Sequence, residues 1–592
     1  MTAGLSVLRG PLCALTSIAC LLSARTADAK DNDPLAFDPK SYTIVHITVD
    51  GSPMEVRRYR VVYVAKPIRI DITKPPMGPR MPGPPPAAPG AGAPPAAAAL
   101  GPLRGGPFGV ATDPLAYQTM YIYVPQSAYN DSKTAIILQV NNAGWIASAA
   151  RDTVQEGDKF VSTNDTDNTG AALRAGYVVV AAGTRSRGIR SEAGDWAGKL
   201  PAVIVDAKAA VRYLRYNDAV MPGSAERIVI TGTSGGGGLS VAVAASGNSP
   251  DYYPYLASIG AAGVDTAGKS TVRDDVFATV AYCPINDLGN ADLAYEWQYS
   301  AVRTAANIAG GQYTPQMATA SATLAAKYPS YLAGLHLKRD DGSLLSADSM
   351  PRSIVEQVKR GVQAGIARGE HIPAIGEDFV IKQHRGPPPG GELVTIRMKN
   401  DWLTVENGKV TNIDYQKYVN FVAAITPLKT VPAFDASANT GNQGLLGENT
   451  LFGSDKLEYS NFTEYAWDHN EVKGDGSGPD DIGKDWVSYI AGPGPGAELV
   501  RQIKLSGPIP YLHTTASTAP YWYVRHGIID RDTSFALQTT LYYAIKNDPK
   551  VKDVDFKLVW LQGHAGNYDV QEAYAWVADV LHKAGEPKVP AR

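Results

Sequence analysis

A chain of 592 residues is too long for one ordinary core, so it must hold two folded units or one core with a large insertion. Its 44% hydrophobic and 19% charged residues exclude global disorder. A formal charge of −3 with no lysine- or arginine-rich run gives no footprint for a nucleic-acid partner.

The first residues read as an export leader. Arg9 supplies the positive start, Pro11 to Leu22 a short apolar run, and Ala27-Asp28-Ala29 an A-x-A cleavage site. Residues 1–29 are therefore expected to be removed, leaving a secreted or periplasmic chain that begins at Lys30. The apolar run is well short of the about 20 residues that span a bilayer, and no later stretch does so either, so no membrane span is expected. A lipid anchor at Cys20 is disfavoured by Ser17, which stands where leucine is usual. With Cys13 and Cys20 in the leader, the mature chain would keep only Cys283, which leaves no intrachain disulfide and no metal site built from cysteine.

Pro75 to Pro107 is about one-third proline, the rest mostly small residues, and reads as a solvated surface insertion. Beyond it, strands and helices alternate. Thr134–Val140 (TAIILQV) and Tyr177–Ala182 (YVVVAA) are short, continuous apolar runs rich in β-branched residues, as expected of strands buried on both faces. Pro201–Tyr216 has helical periodicity with proline in its first turn. Arg227–Ile230 reads as a strand leading through Gly232-Thr233-Ser234-Gly235-Gly236 into an Ala/Val-rich helix, and Val276–Tyr282 as another strand.

From about Asn286 to Thr514 the alternation lapses into helical stretches, Gly/Pro-rich loops and few strands. Two acidic loops there and earlier, Asn164–Asn168 and Asp475–Asp481, lack the ligand spacing of a calcium site. Alternation then resumes with a strand at Tyr521–Arg525, a helix at Thr533–Lys546, a strand at Phe556–Leu561 and an amphipathic helix at Val570–Lys583. The pattern predicts an α/β fold with a mostly parallel, doubly wound sheet. Its core would be split into residues 30–286 and 515–592 around a large, mainly helical lid at 287–514.

Gly232-Thr233-Ser234-Gly235-Gly236 is a G-x-S-x-G match between a strand and a helix, the context of a nucleophile elbow. The turn strains the serine, the flanking glycines relieve crowding, and the helix N-terminus favours developing negative charge. This architecture orders its triad as serine, acid, histidine. His564 directly follows the last predicted strand and is the candidate base. His526 ends the preceding strand as a neighbouring group, and His582 reads as a surface residue of the last helix. For the acid, Asp530 and Asp532 both follow the penultimate strand, and Asp532 could instead cap the next helix. An oxyanion hole needs the N–H of Gly235 and a second from the loop Asn141-Asn142-Ala143-Gly144-Trp145, at Ala143 or Gly144.

With these residues in place, the chain resembles bacterial tannases, α/β-hydrolases that cleave gallate esters. The resemblance runs from about Tyr42 to the C-terminus and skips the proline-rich insertion. It is carried by Gly176–Gly183 (GYVVVAAG), Tyr282–Trp297 (YCPINDLGNADLAYEW), Val431–Asp435 (VPAFD), Glu448–Gly453 (ENTLFG) and Arg525–Phe535 (RHGIIDRDTSF). It implies a triad of Ser234, Asp530 and His564. It also implies that Lys429, Glu448 and Asp532 contact the phenolic hydroxyls of a galloyl ring. Such a ring wants acceptors and a cationic partner, which two carboxylates and an ammonium supply.

The expected reaction is acyl transfer from a galloyl ester or tannin through a serine-bound intermediate, with no metal or organic cofactor. The competing readings are another aromatic carboxylesterase (feruloyl or chlorogenate type), a serine peptidase of the same fold, and a secreted binding module that kept the scaffold. Sequence leaves the oligomeric state open.

Overall fold

The computed structural model describes residues 33–74, 111–385, 392–440, 447–564 and 566–585. The leader, the whole proline-rich stretch and Ala565 lie outside them. In chain order the strands are β1 (Thr43–Val49), β2 (Ser52–Val62), β3 (Thr119–Pro125), β4 (Ile136–Val140), β5 (Lys159–Phe160), β6 (Val178–Ala182), β7 (Ile228–Thr233) and β8 (Ala278–Tyr282). Then come β9 (Asp378–Arg385), β10 (Glu392–Lys399), β11 (Leu403–Glu406), β12 (Lys409–Ile413), β13 (Tyr521–Gly527) and β14 (Asp553–Val559).

Ten of these strands form one sheet in the order β14-β13-β8-β7-β4-β6-β3-β2-β1-β5. From β6 through β4, β7, β8 and β13 to β14 every neighbour is parallel. Strands β1, β2 and β3 add an antiparallel flank, which the sequence reading did not place. In β2 the apolar residues are interrupted by Arg57, Arg58 and Arg60, so no continuous apolar run marks it, whereas β3 (TMYIYVP) is a buried apolar run like β4.

Residues of β4, β6 and β8 are all buried, because helices cover both faces of the sheet. Alternate residues of one strand serve opposite cores. Leu138, Val180 and Ile230 pack with Val203, Val211 and Leu239 from the helices Ala202–Tyr216 and Gly235–Ala245. Their neighbours Ile137, Val179 and Val229 pack on the other face with Leu173, Val577 and Val580. Pro201 sits at the N-cap of its helix, one residue before the helix begins.

Strand β13 pairs with β8 from Tyr521↔Ala278 to Arg525↔Tyr282, so neighbours in the sheet lie far apart in sequence. The intervening chain holds the helices Leu288–Tyr299, Pro315–Gly334, Met350–Ala367, Tyr415–Ile425 and Pro495–Leu505, with two small hairpins, β9–β10 and β11–β12. The helix Met350–Ala367 lies directly on β14. A Cβ on its Gly361 would fall 1.9 Å from the Leu558 carbonyl oxygen, so only glycine permits that approach. Part of this segment therefore covers the sheet itself. Among the described residues no helix is long and apolar enough to cross a membrane.

Candidate active site

Strand β7 runs through Thr233 and turns sharply at Ser234 into the helix Gly235–Ala245. Ser234 has φ 61° and ψ −121°, a left-handed region costly for a residue with a Cβ, at about 1–3 kcal/mol. The surroundings hold it there. Its N–H donates to the Tyr282 carbonyl at 2.9 Å, and its carbonyl accepts the Gly238 N–H at 2.9 Å. At Gly235 a Cβ would stand 2.3 Å from both the Asn142 oxygen and the Trp145 nitrogen, so the helix start presses on the 142–145 loop.

His564, just past β14, brings Nε2 to 2.8 Å from Ser234 Oγ, and its Nδ1 lies 2.9 Å from Asp530 Oδ2. Of the two aspartates, Asp530 is thus the one that orients the imidazole. Asp532 donates its backbone N–H to Asp530 Oδ1 at 2.8 Å. Its carboxylate pairs with Arg531 and lies 3.7 Å from His564 Nε2. Asp532 does not cap the following helix. That helix spans Phe535–Asn547 and is capped by Ser534, whose Oγ accepts the Leu537 N–H at 3.1 Å.

Burial alone would push the Asp530 carboxyl up, but His526, His564 and the Asp532 N–H together hold it below the ordinary carboxylate range. Burial would likewise push His564 down, and the charges of Asp530 and Asp532 overcome it, leaving the imidazole well above its usual value. His526 is fully buried, with Nδ1 3.3 Å from the same Asp530 oxygen and its ring edge-on to Phe535. Cys283 is also buried, its Sγ 3.0 Å from the Tyr568 hydroxyl. Cys283, Asp530 and His564 carry potential ligand atoms within 4.8 Å of one another. The exposed His582 takes no part in this cluster.

The loop after β4 is pinned by its own bonds. Asn142 Nδ2 donates to the Ile146 carbonyl at 2.9 Å, and Asn142 Oδ1 accepts the Thr184 hydroxyl at 2.9 Å. The Trp145 N–H is taken by the Asn142 carbonyl at 2.8 Å. The N–H groups of Ala143, Gly144 and Gly235 donate to no acceptor among the described residues. Unengaged amides beside the serine are what an oxyanion hole requires.

Lys429 sits beside this constellation. Its Nζ lies 3.8 Å over the Phe434 ring, its N–H donates to the Tyr295 hydroxyl at 3.1 Å, and its carbonyl accepts Arg303 Nη1 at 2.6 Å. Burial raises Asp532, but Arg531, His564 and also Lys429 bring its carboxyl below the ordinary range, so the ammonium and this carboxylate share one field. Glu448 is buried in the short turn Gly447–Leu451, opposite the guanidinium of Arg187.

Two buried carboxylates hang this region together. Asp292 accepts the N–H groups of Ala433, Phe434 and Asp435 at 2.7, 2.8 and 3.0 Å. Asp435 accepts Asn449 Nδ2, Asn461 Nδ2 at 2.9 Å and the N–H groups of Phe462 and Thr463 at 2.9 and 2.7 Å. Asn449 follows Glu448, so Asp435 ties the Glu448 turn to the Phe434 turn that supports Lys429. Burial, reinforced by Asp435, pushes the Asp292 carboxyl up to about 8, and burial pushes Asp435 up to about 6. Neither residue is legible in the sequence, because an isolated aspartate in a loop or helix carries no local sign of what it will bond. A separate cavity of about 760 Å³, lined by Arg69, Trp196, Lys199 and Gln502, contains none of the triad side chains.

The family model described as BD-FAE matches residues 120–328, a span holding the 142–145 loop and Ser234 but not Asp530 or His564. Solved structures match far more of the chain. The Fusobacterium nucleatum tannase structure is 29% identical, with a TM-score of 0.67, covering 92% of this chain and 99% of that one. The native tannin acyl hydrolase from Lactobacillus plantarum is 27% identical, with a TM-score of 0.66, covering 92% of this chain and 98% of its own. A tannin acyl hydrolase in complex with ethyl gallate is 26% identical at TM-score 0.66, with 92% and 99% covered. No curated protein sequence matches the chain.

Proposed function

We propose that this enzyme, an α/β-hydrolase similar to the tannases over nine-tenths of its length, is a serine esterase that hydrolyses galloyl esters to gallic acid. The observation that carries the reading is the unbroken set Ser234 Oγ, His564, Asp530 at a strained elbow, with Lys429 and Asp532 beside it. In the first step Ser234 Oγ attacks the ester carbonyl while His564 Nε2 takes its proton. Asp530 holds the imidazole by Nδ1 and stabilises its charged form. The carbonyl oxygen becomes an oxyanion against the N–H of Gly235 and that of Ala143 or Gly144. His564 then returns the proton to the departing alcohol. Water, deprotonated by the same imidazole, cleaves the galloyl-serine bond in the second step.

Lys429, Asp532 and Glu448 are assigned to the ring hydroxyls. A carboxylate acceptor that loses its hydroxyl partner is left unpaired in a water-poor pocket, so a site of this kind rejects the bare ring. Residues 287–514 bring Lys429 and Glu448 to the catalytic turns and serve as the lid. The leader would place the mature enzyme outside the cytoplasm, where plant polyphenol esters are met.

The test compares methyl gallate, methyl ferulate and methyl benzoate with the wild type and Lys429→Ala. The reading expects a strong preference for methyl gallate, narrowed by at least tenfold in Lys429→Ala. Equal rates on all three esters by the wild type would exclude a hydroxyl-reading pocket, and preference for ferulate would place the enzyme among other aromatic carboxylesterases.

A further inference from the structure

The segment after β6 carries Arg187, whose backbone runs alongside the oxyanion loop: Ile146 and Arg187 form a bridge, and the Ala147 N–H donates to the Arg187 carbonyl at 3.1 Å. The side chain is buried, at 5% exposure. Its Nε–H donates to the Gly144 carbonyl at 2.7 Å. The rest of the guanidinium lies flat on Gly447, where a Cβ would stand 2.5 Å from Nη2, 2.7 Å from Cζ and 3.0 Å from Nη1. No carboxylate among the described residues comes within ion-pair distance of it. Glu448, the next residue along, is the opposing charge it feels. A buried cation without a bridging carboxylate is costly, and here its one strong bond goes to a backbone carbonyl of the oxyanion loop.

Two successive peptide planes decide what that bond does. The plane joining residues 144 and 145 has the Gly144 carbonyl at one end, held by Arg187, and the Trp145 N–H at the other, held by the Asn142 carbonyl. The plane before it has the Ala143 carbonyl at one end, accepting the Ile146 N–H at 3.2 Å, and the unengaged Gly144 N–H at the other. Gly144 has φ 57°, a conformation glycine adopts at no steric cost, so nothing in its own side chain fixes the planes. The fixing must come from outside.

We infer that Arg187 is a positioning residue that locks the oxyanion loop against the Glu448 turn, so that the groups reading the ring hydroxyls and the amides stabilising the oxyanion are held as one unit. This rests on the esterase reading above and adds a coupling that the triad does not supply. Arg187 acts through Gly144 and Gly447, not by touching the reacting atoms.

The experiment measures kcat and KM of Arg187→Ala and Arg187→Lys on methyl gallate and on 4-nitrophenyl acetate, an ester without ring hydroxyls to read. Loss of one oxyanion donor costs about 10²–10³ in turnover. Arg187→Ala is therefore expected to lose about 10²-fold in kcat on both esters, with KM for methyl gallate changed less than about threefold and gallic acid still bound. Millimolar guanidinium should restore turnover of Arg187→Ala at least tenfold, a readout that a merely structural role would not give. If Arg187→Ala does not fold, Arg187→Lys keeps the charge but not the fork, and is expected to show the same split in milder form. A folded variant with kcat within threefold of wild type, or with KM raised and kcat intact, overturns the inference. Wild-type failure on methyl gallate overturns the galloyl reading instead, and the acetate arm still tests Arg187.

Discussion

Replacing Asp532 by asparagine separates its effect on the His564 imidazole from the ring-hydroxyl contact proposed for it. Its Oδ2 lies 3.7 Å from His564 Nε2, and at an effective dielectric near 20 a unit charge at that distance is worth about 4 kcal/mol. That is an upper limit, because Arg531 sits on the same carboxylate and the His564 and Asp532 side chains are 21% and 27% exposed, so ion pairing and solvent reduce the effect. The groups facing His564 are Asp530, Asp532, His526 and Cys283, and only the Asp532 charge changes in this variant. Asp532 raises the imidazole, so Asp532→Asn lowers it, and more neutral base is present at lower pH. The acid limb of kcat/KM should therefore shift toward lower pH. On the plateau, loss of a charge-assisted hydrogen bond to a ring hydroxyl should cost methyl gallate about 1.5–3 kcal/mol, or roughly 10–150-fold. Methyl benzoate should fall less than about threefold. Steady-state kinetics across the pH range with both esters gives both numbers. An acid limb that stays in place or moves to higher pH, or an equal loss on both esters, would refute the reasoning.

Further expectations follow from the same geometry. Ser234→Ala should reduce turnover of methyl gallate by several orders of magnitude with an unchanged circular dichroism spectrum, and should abolish covalent labelling by a fluorophosphonate. Gly235→Ala places a methyl 2.3 Å from backbone atoms of Asn142 and Trp145, so it should lower kcat at least 10²-fold, whereas an alanine at the exposed Gly268 should leave it unchanged. Asp435→Asn sets an amide NH₂ against the donors of Asn449, Asn461, Phe462 or Thr463. It should destabilise the protein by about 1–3 kcal/mol in thermal unfolding and raise KM for methyl gallate more than it changes kcat on 4-nitrophenyl acetate.

The features legible in the sequence are those written by neighbouring residues. Strands β4, β6 and β8 are continuous apolar runs because both faces are covered, and that requirement falls on each residue in turn. The elbow is legible for the same reason, since its strain is local and only glycines at 232, 235 and 236 fit around Ser234. Strand β2 was not legible, because Arg57, Arg58 and Arg60 break up its apolar residues. The residues alone left Asp530 and Asp532 open, and the tannase resemblance implied the first. Spatially the two differ because Asp530 faces Nδ1 of the imidazole while Asp532 faces Arg531.

The sequence by itself determined the α/β alternation, the position of Ser234 at a strand-to-helix turn, and the order in which an acid and a histidine must follow. Each depends on contacts within a few residues or on chain order. The tertiary structure alone decided that Asp292 and Asp435 carry the turns bearing Lys429 and Glu448. It alone decided that His526 shares an oxygen of Asp530 and that Arg187 bridges Gly144 and Gly447. A buried charge is tolerated only where partners from distant segments offset its desolvation, and no local pattern records which segments will meet.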